Sequence, residues 1–393
     1  MFNTAQVLVR EPVLLSTTLE QAKRMQAEII NIRRHVHAHP ELNFKEFETS
    51  KFAAHRLQSL GFSVKTFSNH TGIVADYGTG NLMVAIRSDM DATALPELNR
   101  VGYASQNAGI MHACGHDAHL ACALGAAEIL TKMNVRGRIR IIIQPGDDPD
   151  GKLGITTMME SGCLDGVDAV LGLHVDATMP SRKVGVVCGA TVMSEQIFKI
   201  GVEQNDQKPT VMLDIARMIC ALNELSLFSS SDVPIGEVIL DSVRGHKIAV
   251  PDSSDSLMQG VISGTLKTFN DDIRNQAHEE IEKSIRNLNP AATIEFGDNH
   301  VSAIESAKIV DALRGSALDL LGSSEVMDLK RRSWNSQFSL MTEHAPGAMM
   351  YLGAEITSSR RSHQSQTFDI DESCLHVGAA VLAETAMRII NEL

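Results

Sequence analysis

Three short and almost uninterrupted apolar segments constrain the fold of this 393-residue chain more than any other feature of its sequence. They cover residues 82–87, 138–144 and 168–173. Apolar runs of this length, bounded by polar residues, predict strands that are buried on both faces, as in a parallel sheet covered by helices. Open α/β sheets bind their ligands at the carboxyl ends of such strands. The sequence therefore predicts an α/β fold with a functional site at that edge of the sheet.

The residues that follow these strands include several that can bind a metal ion. They are Asp89 and Asp91 after the first strand, Asp147 and Asp148 after the second, His174 after the third, and Cys114 and His116 in a loop before the apolar helical run at 120–130. Thiolate and imidazole suit zinc and similar ions, and a helix N-terminus favours the deprotonated sulfur. Taken alone, the loop could be a histidine-rich helix cap. Because further ligand types meet at the same edge, the sequence predicts a metal site.

Composition limits the partners and the compartment. A net charge of −13 argues against nucleic acid or an anionic membrane surface as the main partner. Six cysteines without framework spacing are typical of reduced thiols in a cytosolic protein. No apolar run reaches the ~18 residues of a membrane helix, and residues 1–18 predict a flexible extension without the plan of a signal peptide. We therefore expect a cytoplasmic chain with no membrane partner.

The pattern of segments changes near Thr191 and changes back near residue 303. Between these points the order β-α-β-β-α-β predicts a small α+β unit of the ferredoxin-like kind, covering residues 191–302. Residues 19–190 and 303–393 would then form the larger, metal-binding domain. The inserted unit carries no dense ligand motif, so we expect the chemistry in the larger domain.

Four blocks of the sequence together resemble a known family. They are residues 112–119 (His-Ala-Cys-Gly-His-Asp-Ala-His), 87–92 (Arg-Ser-Asp-Met-Asp-Ala), 144–148 and 172–175. The chain resembles the amidohydrolase branch of the aminoacylase/carboxypeptidase-type metallopeptidases, which includes hippurate hydrolases, N-acyl-amino-acid amidohydrolases and auxin-conjugate hydrolases. The resemblance implies a zinc-peptidase-like α/β/α catalytic domain with an inserted α+β lid or dimerisation domain, and hence a homodimer through the lid.

The resemblance also implies a cofactor and a role for each site residue. The cofactor would be two divalent metal ions, chosen among Zn, Mn, Co and Ni, and the substrate a small-molecule amide such as an N-acyl amino acid. The implied roles are metal ligands at Cys114 (bridging), His116, Asp148, His174 and His363, general base at Asp147, substrate binding by the lid at Lys267, and hydrogen bonding to the ligand histidines at Asp89 and Asp91.

Several positions differ from the family pattern, and in relatives these positions carry side chains that bind or activate the substrate. Asp147 and Asp148 replace the usual Glu-Glu pair, and a displacement near 1 Å can cost about 10²-fold in rate. Residues 201–209 lack the glycine-rich histidine motif of the lid. Lys267 replaces an arginine, and lysine cannot supply the planar fork that grips a carboxylate.

Two further departures lie near the C-terminal end. Residues 335–338 lack the acidic residues of the family pattern, and His363 stands five residues before Phe368, where relatives usually have four. Two alternatives to a working amidohydrolase therefore stay open. One is a catalytically degenerate relative that keeps the fold and acts by binding, and the other is a metallo-exopeptidase that acts on dipeptides.

Overall fold

A computed structural model of the chain describes residues 15–147, 154–187, 194–203, 211–225, 236–249, 256–268, 271–300, 306–329, 337–357 and 361–392. The chain forms two compact units. The larger unit comprises Met1–Cys188, Glu305–Leu329 and Leu340–Leu393, and the smaller one Gly189–Ile304 and Lys330–Ser339. The predicted domain boundaries, with residues 191–302 as the inserted unit, stay a prediction, and residues 330–336 lie outside the described residues.

The described residues begin with three helices and three strands, after which helices and strands are interspersed. The helices are α1 Leu15–Arg24, α2 Gln26–Ala38, α3 Phe47–Ser59, α4 His116–Thr131, α5 Gly154–Glu160, α6 Val211–Glu224, α7 Asp271–Leu288, α8 Ala307–Leu321, α9 Phe338–Thr342 and α10 Leu375–Glu392. The strands are β1 Ser63–Thr66, β2 Ile73–Gly78, β3 Met83–Asp89, β4 Arg138–Gln144, β5 Ala169–Asp176, β6 Val184–Val186, β7 Ser194–Glu203, β8 Gly236–Ala249, β9 Ser256–Thr268, β10 Thr293–His300, β11 Val326–Asp328 and β12 Gly347–Gly353.

The larger unit is built on a mixed sheet with the strand order β1-β2-β4-β3-β5-β12-β6-β11. Its centre is parallel, because β3 pairs in parallel with both β4 and β5. Every residue of β3 is buried, as expected for a strand with helices on both sides. The carboxyl ends of β4, β3 and β5 therefore lie side by side, as the sequence predicts.

Helices α4 and α10 form the apolar centre of the larger unit. They pack against each other and against β3 and β5. Fifteen consecutive residues of α4, from His116 to Leu130, are buried. A helix that is apolar on all sides is stable only inside a core. The run at residues 120–130 is therefore a core helix, and its N-terminus is held at the edge of the sheet.

The N-terminal helical segment differs from the prediction. The sequence favours one helix from residue 19 to residue 37, but the structure has α1 and α2 with a break at Met25. The two helices pack against different partners, since α1 lies mainly on α10 and α2 mainly on α4. The periodicity of apolar residues continues through Met25, so the sequence alone does not reveal the bend.

The smaller unit is an antiparallel sheet with two helices. Its strand order is β10-β7-β9-β8, and α6 and α7 pack together against β9. Side chains from β7, such as Phe198 and Ile200, and from α6 and α7, such as Met218 and Ile281, are fully buried there. The element order β7-α6-β8-β9-α7-β10 agrees with the predicted β-α-β-β-α-β insert.

In the part of the chain that the structure describes, one helical segment is long and apolar enough to cross a membrane. It covers Glu372–Glu392 and includes α10, and its mean hydropathy is 1.3. In the structure, 78% of its most apolar 18-residue stretch is buried against the rest of the chain. Packing in the core therefore accounts for its apolar character.

A buried histidine on α2 is held between two carboxylates. Nδ1 of His37 lies 2.7 Å from Oδ2 of Asp117, and Nε2 lies 3.2 Å from Oε1 of Glu97. Burial lowers the pKa of His37, but Asp117 and Glu97 outweigh it and raise the pKa to about 9. The imidazole is therefore a cation at neutral pH, and its charge stabilises the folded state.

This raised pKa predicts how stability depends on pH. Because the folded-state pKa lies above the unfolded value of about 6.5, the stabilisation is complete below pH 6.5 and disappears as the pH rises through 9. Between these values, the metal-free protein should lose up to about 1.4 kcal/mol per pH unit relative to a His37→Gln variant. Denaturant unfolding of both proteins across this range measures the difference. Equal pH slopes would contradict the charged state of His37.

Candidate metal centre

The loop before α4 brings a thiol and an imidazole to the edge of the sheet. Gly115 separates Cys114 from His116 and adopts φ +95°, a left-handed conformation that favours glycine. A Cβ atom at this position would lie 2.3 Å from Cγ2 of Val175. Glycine is therefore required both for the turn and for its close approach to β5. The tight turn holds the Cys114 and His116 side chains beside that strand.

His116 is oriented by the segment after β3. Its Nδ1 lies 2.9 Å from the carbonyl oxygen of Asp91, so this nitrogen donates a hydrogen bond and carries the proton. Nε2 then presents its lone pair, at 3.9 Å from Oδ2 of Asp89. A backbone carbonyl or a carboxylate that fixes the far nitrogen is the usual support of a metal-binding histidine.

His174 on β5 has the same arrangement. Its Nδ1 lies 2.7 Å from the carbonyl oxygen of Val175, and its Nε2 lies 3.7 Å from Sγ of Cys114. The strand continues past His174 to Asp176, so this side chain lies within β5 rather than after it as predicted. Cys114 and His174, which are 60 residues apart in sequence, thus face each other.

A group of three side chains could hold an ion by distance alone. Ligand atoms of Asp89, His116 and His119 all lie within 4.8 Å of one another, and the residues are buried. Both nitrogens of His119 are nevertheless engaged. Nδ1 lies 2.7 Å from Oδ1 of Asp89, and Nε2 accepts the Val175 amide at 3.0 Å. His119 therefore connects the ends of β3 and β5 and is a poor ligand in this geometry.

Asp89 and the general-base candidate Asp147 are joined through Arg87. The guanidinium of Arg87 donates to Oδ2 of Asp89 at 2.8 Å and, through Nε, to Oε1 of Gln144 at 2.9 Å. It also forms an ion pair with Asp147. Burial raises the pKa of Asp89, but His116, His119 and Arg87 outweigh it and hold the pKa well below its usual value. For Asp147, burial raises the pKa and Arg87 offsets only part of the effect.

Asp91 has a different role from Asp89. Its carbonyl oxygen orients His116, while its carboxylate accepts the backbone amide of Asp147 at 2.9 Å. It therefore connects the segment after β3 with the segment after β4. The predicted role of both aspartates, hydrogen bonding to the ligand histidines, stays a prediction, since the side chain of Asp89 bonds to His119 and Arg87.

The other three candidate residues are His363, Lys267 and Asp148. The ring of His363 lies 5.5 Å from that of His174, and its Nε2 accepts the Ala177 amide at 3.2 Å. Lys267 is a half-buried residue of β9 in the smaller unit. Asp148 lies outside the described residues. Their roles stay predictions.

Two residues of the sequence motifs, Arg87 and His119, support the site without being predicted ligands. Arg87 interrupts an apolar buried strand, and a buried charge requires partners. His116 and His119 are three residues apart on a helix, which places them on one face, and their rings lie 5.5 Å apart. These two signals could have indicated supporting roles.

The donor set suits a borderline-soft divalent ion. Sγ of Cys114 and the Nε2 atoms of His116 and His174 combine a thiol with two imidazoles whose far nitrogens are fixed by carbonyl oxygens. His112, two residues before Cys114, is a buried imidazole whose nitrogens have no hydrogen-bond partner among the described residues. Burial lowers the pKa of His112 to about 4, so this ring is neutral at pH 7. The residues present therefore fit a bound metal.

Comparison with known proteins agrees with this arrangement. The profile of peptidase family M20/M25/M40 matches residues 85–388. N-acetyl-L-cysteine deacetylase from Bacillus subtilis is 29% identical over 397 aligned positions, which cover 97% of this chain and 91% of that protein. IAA-amino acid hydrolase ILR1-like 6 from Arabidopsis thaliana is 30% identical over 379 positions, covering 92% and 80%.

A solved structure shows the same fold. The crystal structure of the Bacillus subtilis YXEP protein, described as a dinuclear metal binding peptidase from the M20 family, has a TM-score of 0.82 and 25% identity. The match covers 94% of this chain and 99% of that one.

The fold and the site together define a metal-dependent hydrolase with an inserted α+β unit. The chain belongs to peptidase family M20/M25/M40. This membership confirms the predicted resemblance, the fold class and the expectation of an amidohydrolase-type enzyme.

Proposed function

We propose that the chain hydrolyses N-acyl amino acids or related amide conjugates with two divalent metal ions, releasing a carboxylic acid and an amino acid. The observation that carries the proposal is the 3.7 Å approach of Sγ of Cys114 to Nε2 of His174. His116 adds a second imidazole oriented for binding beside this pair. The names of two relatives, a deacetylase of N-acetyl-L-cysteine and a hydrolase of IAA-amino acid conjugates, support this substrate class.

The proposed ligands are the set implied by the sequence. They are Cys114, His116, Asp148, His174 and His363. When bound, the ions polarise the amide carbonyl and lower the pKa of the attacking water. Zinc and manganese are the first candidates, since thiolate, imidazole and carboxylate accommodate both. For His363 to bind through Nε2, its hydrogen bond with the Ala177 amide has to open.

Asp147 is the proposed general base. Its carboxylate takes a proton from the attacking water and returns it to the nitrogen of the leaving amine, so that the products are a free acid and a free amine. Arg87 and Gln144 hold Oδ1 of Asp147, with Nε2 of Gln144 at 2.9 Å. This anchoring fixes the direction of the carboxylate.

The proposal also includes a substrate-binding role for Lys267, a homodimer and a cytoplasmic location. Lys267 would bind a polar group of the substrate through a single ammonium charge, with less geometric selectivity than arginine. The smaller unit would form the interface of a homodimer, and the protein would act in the cytoplasm. Family resemblance and the scattered cysteines support these two statements.

Metal analysis and a substrate panel test the proposal together. Protein purified without chelator should contain about two metal equivalents per chain, as in two-metal hydrolases. It should release amino acid from a panel of N-acetyl, N-benzoyl and longer N-acyl amino acids, and chelator should stop the release. Dipeptides in the same panel test the exopeptidase alternative. Metal-loaded protein without turnover on any member would contradict the proposal.

One observation favours a second candidate, a relative that binds such amides without hydrolysing them. Asp147 is one methylene shorter than the usual glutamate, and Arg87 holds it at one oxygen. If this carboxylate cannot reach the water, substrate would bind and remain intact. Calorimetric binding of an N-acyl amino acid without product formation would favour this alternative.

A further inference from the structure

A buried group of charges lies behind the candidate metal centre. We call it the Arg33 cluster, and its members are Arg33, His37, Glu97, Asp117, Asp369 and Glu372. Arg33 is fully buried and contacts a carboxylate through each of its three nitrogens. Nε lies 2.8 Å from Oδ2 of Asp117, Nη2 lies 2.9 Å from Oδ1 of Asp369, and Nη1 lies 3.0 Å from Oε1 of Glu372.

The geometry of these contacts depends on arginine. Its planar fork points donors in three fixed directions, whereas lysine concentrates its charge at one flexible point. A fully buried ion is costly unless several hydrogen bonds compensate it, and removing one partner leaves the others uncompensated. The three carboxylates thus keep fixed positions relative to α2, and each position is specified by direction as well as by charge.

Two of the carboxylates belong to the segments that carry proposed metal ligands. Asp117 is the second residue of α4 and directly follows His116. Asp369 lies six residues after His363, in the loop that leads towards α10. Arg33 therefore connects two ligand-bearing segments that are far apart in the sequence.

Further contacts make this connection stiff. The Gln364 amide donates to the carbonyl oxygen of Ala113 at 2.8 Å, so the residue after His363 is bonded to the residue before Cys114. The hydroxyl of Tyr103 lies 3.0 Å from Oδ2 of Asp369, which occupies the second oxygen of that carboxylate. The His363 loop is thus held at two points, one beside the site and one behind it.

We infer that Arg33 is a positioning residue of the metal centre, which sets the distance between the Cys114–His116 loop and the His363 loop through Asp117 and Asp369. The inference rests on the proposed function for its metal-binding consequence. Its structural part, the ordering of the two loops by one guanidinium, holds for the metal-free protein as well. The two parts are measured separately.

The first test is an Arg33→Lys substitution read out by metal binding. Charge is kept, but lysine cannot contact all three carboxylates at once. Apparent metal affinity, measured by competition with a chelator, should fall about 10–100-fold, as for other residues that orient ligands. Asp369→Asn, which removes one charge and keeps the shape, provides a milder second variant in case Arg33→Lys does not fold.

A matched control separates positioning from general loss of stability. Asp76→Asn breaks the ion pair with Arg140, whose Nε lies 2.7 Å from Oδ1 of Asp76 between β2 and β4. This variant should lower the melting temperature and leave metal affinity unchanged. If Arg33→Lys and Asp369→Asn bind metal as tightly as the wild type, or if Asp76→Asn weakens binding equally, the positioning role is wrong.

A second readout does not need metal. In metal-free protein, amide hydrogen exchange at Gln364 should be about tenfold faster in Arg33→Lys and Asp369→Asn than in Asp76→Asn, because the loop is released locally. If the wild type binds no metal but Gln364 behaves in this way, the proposed function fails and the ordering role stands. Unchanged exchange at Gln364 in both variants would overturn the inference.

Discussion

A Cys114→Ala variant should lose at least one of the two metal equivalents and nearly all hydrolysis of N-acyl amino acids. Cys114 is the proposed bridge between the ions, and its Sγ lies 3.7 Å from Nε2 of His174. Removing a partner that only orients a ligand costs roughly 10–100-fold in affinity or activity, and removing the ligand itself should cost more. Metal content per folded chain and turnover of the best substrate in the panel measure the two effects.

Cys122 is the matched control for this experiment. It is a fully buried thiol on α4, the helix that follows the Cys114 loop, and its Sγ donates to the carbonyl oxygen of Leu375 at 3.4 Å. Burial raises the pKa of Cys122, so it stays a neutral thiol that packs as a small apolar group. Cys122→Ala should lower stability and keep both metal equivalents. A Cys114→Ala protein with full metal content and wild-type turnover would exclude the bridging role.

The central strands were predictable because their signal is local. β3, β4 and β5 each contain a largely apolar run, and parallel pairing of such runs places their carboxyl ends together without information on distant contacts. The same argument predicts that the thiol of Cys114 and the imidazoles of His116 and His174 lie near those ends. The short strands β6 and β11, of three residues each, were missed because such lengths carry no periodicity.

The supporting residues of the site could not be predicted in the same way. Arg33 contacts Asp369 across 336 positions of sequence, and His119 accepts the Val175 amide across 56. No local pattern indicates such partners, since they depend on how α2 packs on α4 and how β5 lies beside β3. The sequence thus identified residues suited to metal binding, and the structure identifies the residues that orient them.

Asp147 is the residue on which the choice between catalysis and binding depends. An Asp147→Asn variant should keep its metal and lose about 10²–10⁴-fold in turnover, the usual contribution of a general base. Asp147→Glu should instead raise turnover, because one additional methylene restores the reach of the glutamate that relatives usually have. A displacement near 1 Å can be worth about 10²-fold in rate, so the gain should be large enough to measure.

The pair of variants distinguishes the two proposed functions. If the wild type hydrolyses amides and Asp147→Asn does not, Asp147 is the base despite its contact with Arg87. If the wild type only binds them and Asp147→Glu gains turnover, the shorter side chain explains the loss of catalysis. Asp76→Glu, in a strand away from these residues, controls for the added methylene. Equal turnover in the wild type, Asp147→Asn and Asp147→Glu would assign the proton transfer to another group, because an amide side chain cannot accept the proton of the attacking water.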